Sequence, residues 1–85
     1  SGSELRIQKF SPLQASYTVI GELALLAQEK SIMIKSTSLV PEISADIQKV
    51  EQVLRNLISN AIKYIPEGKE IQVLWDQDGK DIVLQ

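Results

Sequence analysis

Residues 50–68, VEQVLRNLISNAIKYIPEG, decide how the rest of the chain is read. Counting from Ile47, the apolar positions are Ile47, Val50, Val53, Leu54, Leu57, Ile58, Ala61, Ile62 and Ile65. Their separations are all three or one, the spacing of an amphipathic helix with a single apolar stripe. Asp46 is placed to cap the helix start, and PEGKE at 66–70 stops it. Two asparagines, Asn56 and Asn60, occupy interior positions one turn apart. Asparagine is a poor interior helix former because its amide competes for nearby backbone groups. At about 100° per residue, Asn56, Asn60, Lys63 and Tyr64 share one arc of roughly 100°. This arc flanks the apolar stripe, at the border between core and solvent.

Working outward, FSPLQ opens a first helix, with Ser11 as N-cap, Pro12 at the first helical position and Gln14 completing a capping box. Leu13, Val19, Ile20, Leu23, Leu26 and Ala27 carry its apolar face to about Lys30. Gly21 weakens that helix by about 1 kcal/mol relative to alanine. LRIQKF at 5–10 alternates weakly, as a short edge strand does, and SIMIKS at 31–36 suits a buried strand. TSLVPEIS at 37–44 reads as a loop with Pro41 as breaker. Beyond the long helix, Ile71, Val73 and Trp75 alternate on one face. DQDGK turns the chain around Asp78-Gly79, and DIVLQ begins the return strand. The order strand, helix, strand, helix, hairpin predicts an α+β fold. Its architecture is a two-layer α/β sandwich, two helices on one face of a mixed sheet.

Eighty-five residues allow one small domain, with a thin stability margin. The opening SGS, residues 1–3, resembles a cloning remnant, so 4–85 is the expected domain, and it stops at Gln85 inside a strand as a truncated domain would. A net charge of −2 supplies no basic footprint for nucleic acid and no polybasic patch for direct membrane contact. With no cysteine there is no disulfide or thiolate metal site, which fits a cytoplasmic protein. With no histidine, imidazole catalysis, imidazole zinc sites and phosphohistidine chemistry have no home within these residues. No apolar run reaches the roughly 20 residues that span a bilayer.

The arc on the long helix gathers two amide oxygens, an ammonium and a phenol. An amide oxygen is a neutral hard ligand suited to Mg²⁺, which prefers octahedral oxygen and keeps waters and substrate phosphates. A lysine one turn further meets phosphate as a point charge. On spacing alone this chemistry competes with a plainer reading, because solvent-facing Asn, Lys and Tyr need no function.

The wider string separates the two. VEQVLRNLISNAIKYIPEG resembles the N box of sensor histidine kinases, within the gyrase, chaperone, histidine kinase and MutL ATPase superfamily. The family pattern is an upstream Asp, then Q-V-L-x-N-L-x-x-N-A-x-K followed by an aromatic or His, then a Pro-Gly turn and a strand. Asp46, Gln52, Asn56, Asn60, Ala61, Lys63, Tyr64, Pro66 and Gly68 occupy matching places. The upstream FSPLQASYTVIGELALLAQEKSIMIKS is similar to the family's first strand, helix and second strand, so the resemblance covers about 5–85. It implies that Asn60 ligates the Mg²⁺ that bridges ATP phosphates. It implies that Asn56 stands where hydrolytic relatives carry a glutamate base, and that Lys63 and Tyr64 touch phosphate and nucleotide. An amide at position 56 takes no proton from water, which suits transfer rather than hydrolysis of the γ-phosphate.

The resemblance also implies what the parent uses: Mg²⁺ and ATP as cofactors, a dimerisation and phosphoacceptor domain, and a response regulator as partner. The parent would be a cytoplasmic or membrane-anchored histidine protein kinase. These 85 residues contain no D-x-G-x-G adenine box, no lid and no phosphoacceptor histidine. Weak or no nucleotide binding and no kinase activity are therefore expected of this chain alone. Two rivals stand beside this reading. One is a protein-binding or self-associating module that pairs through exposed sheet; the other is a serine kinase of the same superfamily, such as an anti-sigma factor. Smaller signals read as structure. DQDGKD lacks the twelfth-position glutamate of a calcium loop, Glu67, Glu70 and Asp76 read as a solvated rim, and Trp75 as core.

Overall fold

A computed structural model describes residues 4–84, apart from the side chains of residues 81, 82 and 84. The expectations for residues 1–3 and for the end at Gln85 lie outside the described residues. The elements run β1 (Gln8–Phe10), α1 (Pro12–Glu22), α2 (Ala24–Glu29), β2 (Met33–Ser38), β3 (Ile43–Ala45), α3 (Ile47–Tyr64), β4 (Glu70–Asp76) and β5 (Gly79–Leu84).

The main sheet has the order β2-β4-β5. β2 runs parallel to β4, with Ser36 opposite Val73, and β4 pairs antiparallel with β5, with Val73 opposite Ile82. This is the mixed sheet expected, and the α+β sandwich holds. The parallel pair follows from α3, which carries the chain back across the sheet between β2 and β4. Alternation in β4 sends Ile71, Val73 and Trp75 to one face, where all three are buried. Against them lie Leu54, Ile58 and Ile62 of α3 and Val19 of α1. Each fully buried side chain of this size contributes about 1.5–3 kcal/mol of apolar transfer. Pro12 and Ser16 complete the floor under α1.

Both N-caps form as read, and of the capping box at Ser11 the serine half is present among the described residues. Ser11 Oγ accepts from Gln14 N at 3.1 Å, and Asp46 Oδ1 accepts from Gln48 N at 3.1 Å and Lys49 N at 3.4 Å. Asp46 Oδ2 also accepts from Arg6 N at 3.1 Å, tying the chain before β1 to the start of α3.

Five expectations are corrected. The first helix is two helices, because at Leu23 the backbone leaves helical geometry (φ −100°, ψ 8°) one residue past the weak Gly21-Glu22 step. The stretch 37–44 is not all loop. Thr37 and Ser38 extend β2, and Ile43 and Ser44 belong to β3, which pairs antiparallel with β1. β1 therefore edges a separate two-stranded sheet rather than the main one. Ser31 does not begin a strand; it follows the C-cap of α2, Lys30, at φ 53°, and β2 starts at Met33. The hairpin turn is centred on Gln77 and Asp78, with Asp76 opposite Gly79. There Asp76 Oδ1 accepts from Asp78 N at 2.8 Å, a local bond that aspartate supplies readily in turns.

The apolar stripe of α3 is also wider than the surface that covers it. Val53 and Leu57 remain 45% and 42% exposed, while Leu54 and Ile58 are fully buried. The core takes the 54/58/62 edge of the stripe, because that edge faces Ile71, Val73 and Trp75.

Candidate functional site: the polar face of the long helix

The four residues of the arc stand together on α3. Asn56, Asn60, Lys63 and Tyr64 are all exposed, Tyr64 at 75%. Side chains one turn apart on a helix have Cβ atoms about 5–6 Å from each other, so Asn56 and Asn60, and Asn60 and Tyr64, are direct neighbours. Lys63 Nζ lies over the Tyr64 ring, 5.4 Å from its centroid. Among the described residues, neither asparagine amide has a side-chain hydrogen-bond partner. Both amides therefore keep oxygen lone pairs for an external group. The opposite edge of α3 is locked into the core, so the face is held by a rigid support rather than a loop.

The flanking polar residues are otherwise engaged. Arg55 forks onto Glu22 of α1, with Nε to Oε2 at 2.7 Å and a second guanidinium nitrogen to Oε1 at 3.2 Å. The hydrogen bond from Arg55 holds the Glu22 carboxyl below the usual carboxylate range, and Glu22 in turn raises Arg55. Ser59 Oγ donates to Asn56 O at 3.2 Å, a bond within its own helix. Of the acid rim, Glu70 meets Lys35 at 3.9 Å and accepts from Gln72 Nε2 at 3.0 Å, while Asp76 serves the turn. Among the described residues no cluster of three acidic side chains is arranged to hold a metal ion.

Beside the arc a cavity of ≈ 460 Å³ opens between α2 and α3. Ser59, Asn60, Ile62 and Lys63 line it from α3, and Leu26, Glu29 and Lys30 from the end of α2. The sequence reading placed Asn60 and Lys63 here and missed the α2 wall. No local pattern marks Glu29 or Lys30, since only the packing of two helices brings them to the site.

The arrangement offers neutral oxygen donors beside one ammonium on a fixed surface, a donor set that fits Mg²⁺ held jointly with phosphate. Among the described residues no helix is long and apolar enough to cross a membrane.

No protein-family model matches the chain. It is 39% identical over 77 residues to the adaptive-response sensory kinase SasA of Synechococcus sp. (strain JA-3-3Ab). That match covers 86% of this chain and 20% of the relative, so the chain spans about a fifth of the curated protein it resembles. Among solved structures, the catalytic domain of histidine kinase ThkA superposes with a TM-score of 0.75 at 20% identity, covering 85% of this chain and 51% of that domain. The histidine kinase AdeS of Acinetobacter baumannii superposes with a TM-score of 0.76 at 21% identity, covering 84% of this chain and 36% of that one. At these identities the structural matches speak for the fold, and SasA carries the likeness in sequence. The chain is thus similar in sequence to a stretch of a sensory kinase and similar in fold to the catalytic domains of histidine kinases.

Proposed function

We propose that the polar face of α3 is one wall of a Mg–ATP site in a sensor kinase that phosphorylates a histidine. The observation that carries this reading is the pair of amides, Asn56 and Asn60, without a side-chain partner among the described residues and beside Lys63 on a face whose back is buried. In this reading Asn60 holds the metal through its amide oxygen. The metal, when bound, neutralises phosphate charge. Lys63 meets a phosphate oxygen, and Tyr64 supplies its ring or hydroxyl to the nucleotide. Asn56, an amide, draws no proton from water, which favours transfer to a protein acceptor over hydrolysis.

The histidine acceptor and the response regulator belong to this proposal. The ThkA histidine kinase, similar in fold at 21% identity, is known in complex with the response regulator TrrA; a regulator of that kind is the expected partner of the parent protein. A serine-phosphorylating relative would need the same α3 face, so the acceptor is decided by mixing the complete parent kinase with candidate acceptor domains. The self-associating alternative is not favoured. Tyr17 Oη donates to Ser36 O at 3.3 Å and accepts from Ser36 N at 3.2 Å, which occupies the outer edge of β2 at its middle.

The test is a titration of the ¹⁵N-labelled chain with Mg-ADP, following the side-chain amides of Asn56 and Asn60. Metal-dependent shifts confined to α3, with a dissociation constant in the millimolar range, are expected of a wall with no adenine box beside it. Shifts spread evenly over the surface, or none at millimolar ligand, overturn the site. With labelled ATP and a separate phosphoacceptor domain, no phosphoryl transfer is expected from this chain alone.

A further inference from the structure

Lys30 is the residue at which α2 ends, and the turn after it is tightly specified. Ile32 N donates to Ala27 O at 2.9 Å and Ser31 N to Gln28 O at 3.0 Å, with Ser31 left-handed at φ 53°. These two bonds and the left-handed residue complete a Schellman-type helix end. The Lys30 side chain then reaches a different helix. Its Nζ donates to Ile62 O at 2.6 Å, Ile65 O at 2.6 Å and Lys63 O at 3.2 Å. Each of the three ammonium protons is thereby matched to a main-chain carbonyl at the end of α3. The main chain of Lys30 adds a fourth link, its carbonyl accepting from Gly68 N at 3.0 Å.

A helix leaves its last carbonyls without partners, and the aligned peptide dipoles make that end negative. A single ammonium that answers both needs is a strong fixture, because hydrogen bonds to a charged donor are stronger than neutral ones. α3 needs such a fixture. Its C-cap residue Ile65 is extended (φ −84°, ψ 154°), and no left-handed residue closes the helix there. Asn60, Lys63 and Tyr64 all lie on the final turns that Lys30 holds. Lys30 also lines the same cavity as Asn60 and Lys63.

We infer that Lys30 is a positioning residue for the polar face of α3: its ammonium, bound by three main-chain carbonyls, sets where Asn60, Lys63 and Tyr64 stand. The consequence for a ligand rests on the nucleotide reading above; the clamp itself does not.

The experiment compares Lys30→Met, which keeps the stem and removes charge and donors, with Lys30→Arg, which keeps both. Lys35→Met, which removes the surface pair with Glu70, serves as control. Amide exchange is measured in each 85-residue chain. Lys30→Met should speed exchange at Ile65 and Gly68 by roughly tenfold or more over amides beside Leu54. It should also shift the Asn60 side-chain amide. Lys30→Arg should recover most of both effects, and Lys35→Met should cause neither. Unchanged exchange in Lys30→Met, or equal loss in Lys30→Met and Lys30→Arg, overturns the inference.

Should Lys30→Met fail to fold, the unmodified chain decides. Its Lys30 ammonium protons should exchange slowly and show contacts to Ile62 and Ile65, whereas a fast-exchanging, freely rotating ammonium overturns the clamp. Mg-ADP titration then separates the two readings. Weaker binding in Lys30→Met with recovery in Lys30→Arg supports both. No binding to the unmodified chain sinks the nucleotide wall, and the exchange data alone then judge Lys30.

Discussion

Trp75 Nε1 donates to Ser16 Oγ at 2.7 Å in the buried layer between β4 and α1. Ser16 has no exposure and Trp75 only 5%, so neither group has water as a substitute. Ser16→Ala should leave the indole N–H unsatisfied and cost about 1–3 kcal/mol. Urea unfolding followed by circular dichroism measures this. In the background of Trp75→Phe the serine should matter much less, and equal costs in both backgrounds would refute the coupling.

Ser31 adopts φ 53° where α2 ends, a conformation that glycine takes without a Cβ penalty. Ser31→Gly should therefore raise stability by up to about 1 kcal/mol, since the left-handed strain it relieves is of that order. Thermal unfolding of the two chains reads the difference, and a lower midpoint for Ser31→Gly would count against the turn described here.

Acid should weaken the fold through two carboxylates. Asp46 is held below its ordinary value chiefly by the backbone N–H of Arg6, and Glu22 chiefly by the hydrogen bond from Arg55. A lowered folded value means that the unfolded chain takes up protons first. Their stabilisation is complete above the ordinary carboxylate range, about pH 4–5, and is lost as pH falls through it toward the lower folded values. Urea midpoints should hold steady from pH 7 to about 5 and drop below that range. The pair of substitutions Asp46→Asn and Glu22→Gln should flatten the drop, and an unaltered slope would show that other groups govern it.

Asn56 and Asn60 lie exposed with no side-chain partner among the described residues, so Asn56→Ala and Asn60→Ala should leave the urea midpoint unchanged or slightly raised. Asn60→Ala should nonetheless abolish the metal-dependent part of Mg-ADP binding, while Asn56→Ala should weaken binding less. Lys63→Met should weaken binding and reduce its dependence on salt, because the lysine acts as a charge near phosphate. Binding that survives Asn60→Ala intact, with Mg²⁺ still required, would move the metal ligand elsewhere.

Much of this was legible in the residues. The three-and-one spacing of α3, its Asp46 cap, the Ser11-Pro12 start of α1 and the alternation of Ile71, Val73 and Trp75 each encode their element within a few residues. Such signals are local: a cap, a period or a turn is completed by neighbours in the chain. The exposed arc of Asn56, Asn60, Lys63 and Tyr64 was legible for the same reason, since helical geometry alone puts those positions on one face. The break at Leu23 and the three-residue strand β3 were not, because each depends on what a short stretch packs against or pairs with rather than on its own pattern.

What the sequence by itself determined, then, is the long helix with its cap, the start of α1, the alternation of β4, and which side of α3 is polar. The tertiary structure alone decided which edge of that helix is buried, leaving Val53 and Leu57 open while Leu54 and Ile58 close onto the sheet. It also joined residues far apart in the chain: Trp75 to Ser16, Arg55 to Glu22, and Lys30 to the carbonyls of Ile62, Lys63 and Ile65. Those contacts have no local signature. Their partners become neighbours only once the hydrophobic faces of α1, α2 and α3 have packed against the sheet, because burial of apolar area, which is non-directional, fixes the arrangement in which directional bonds then form.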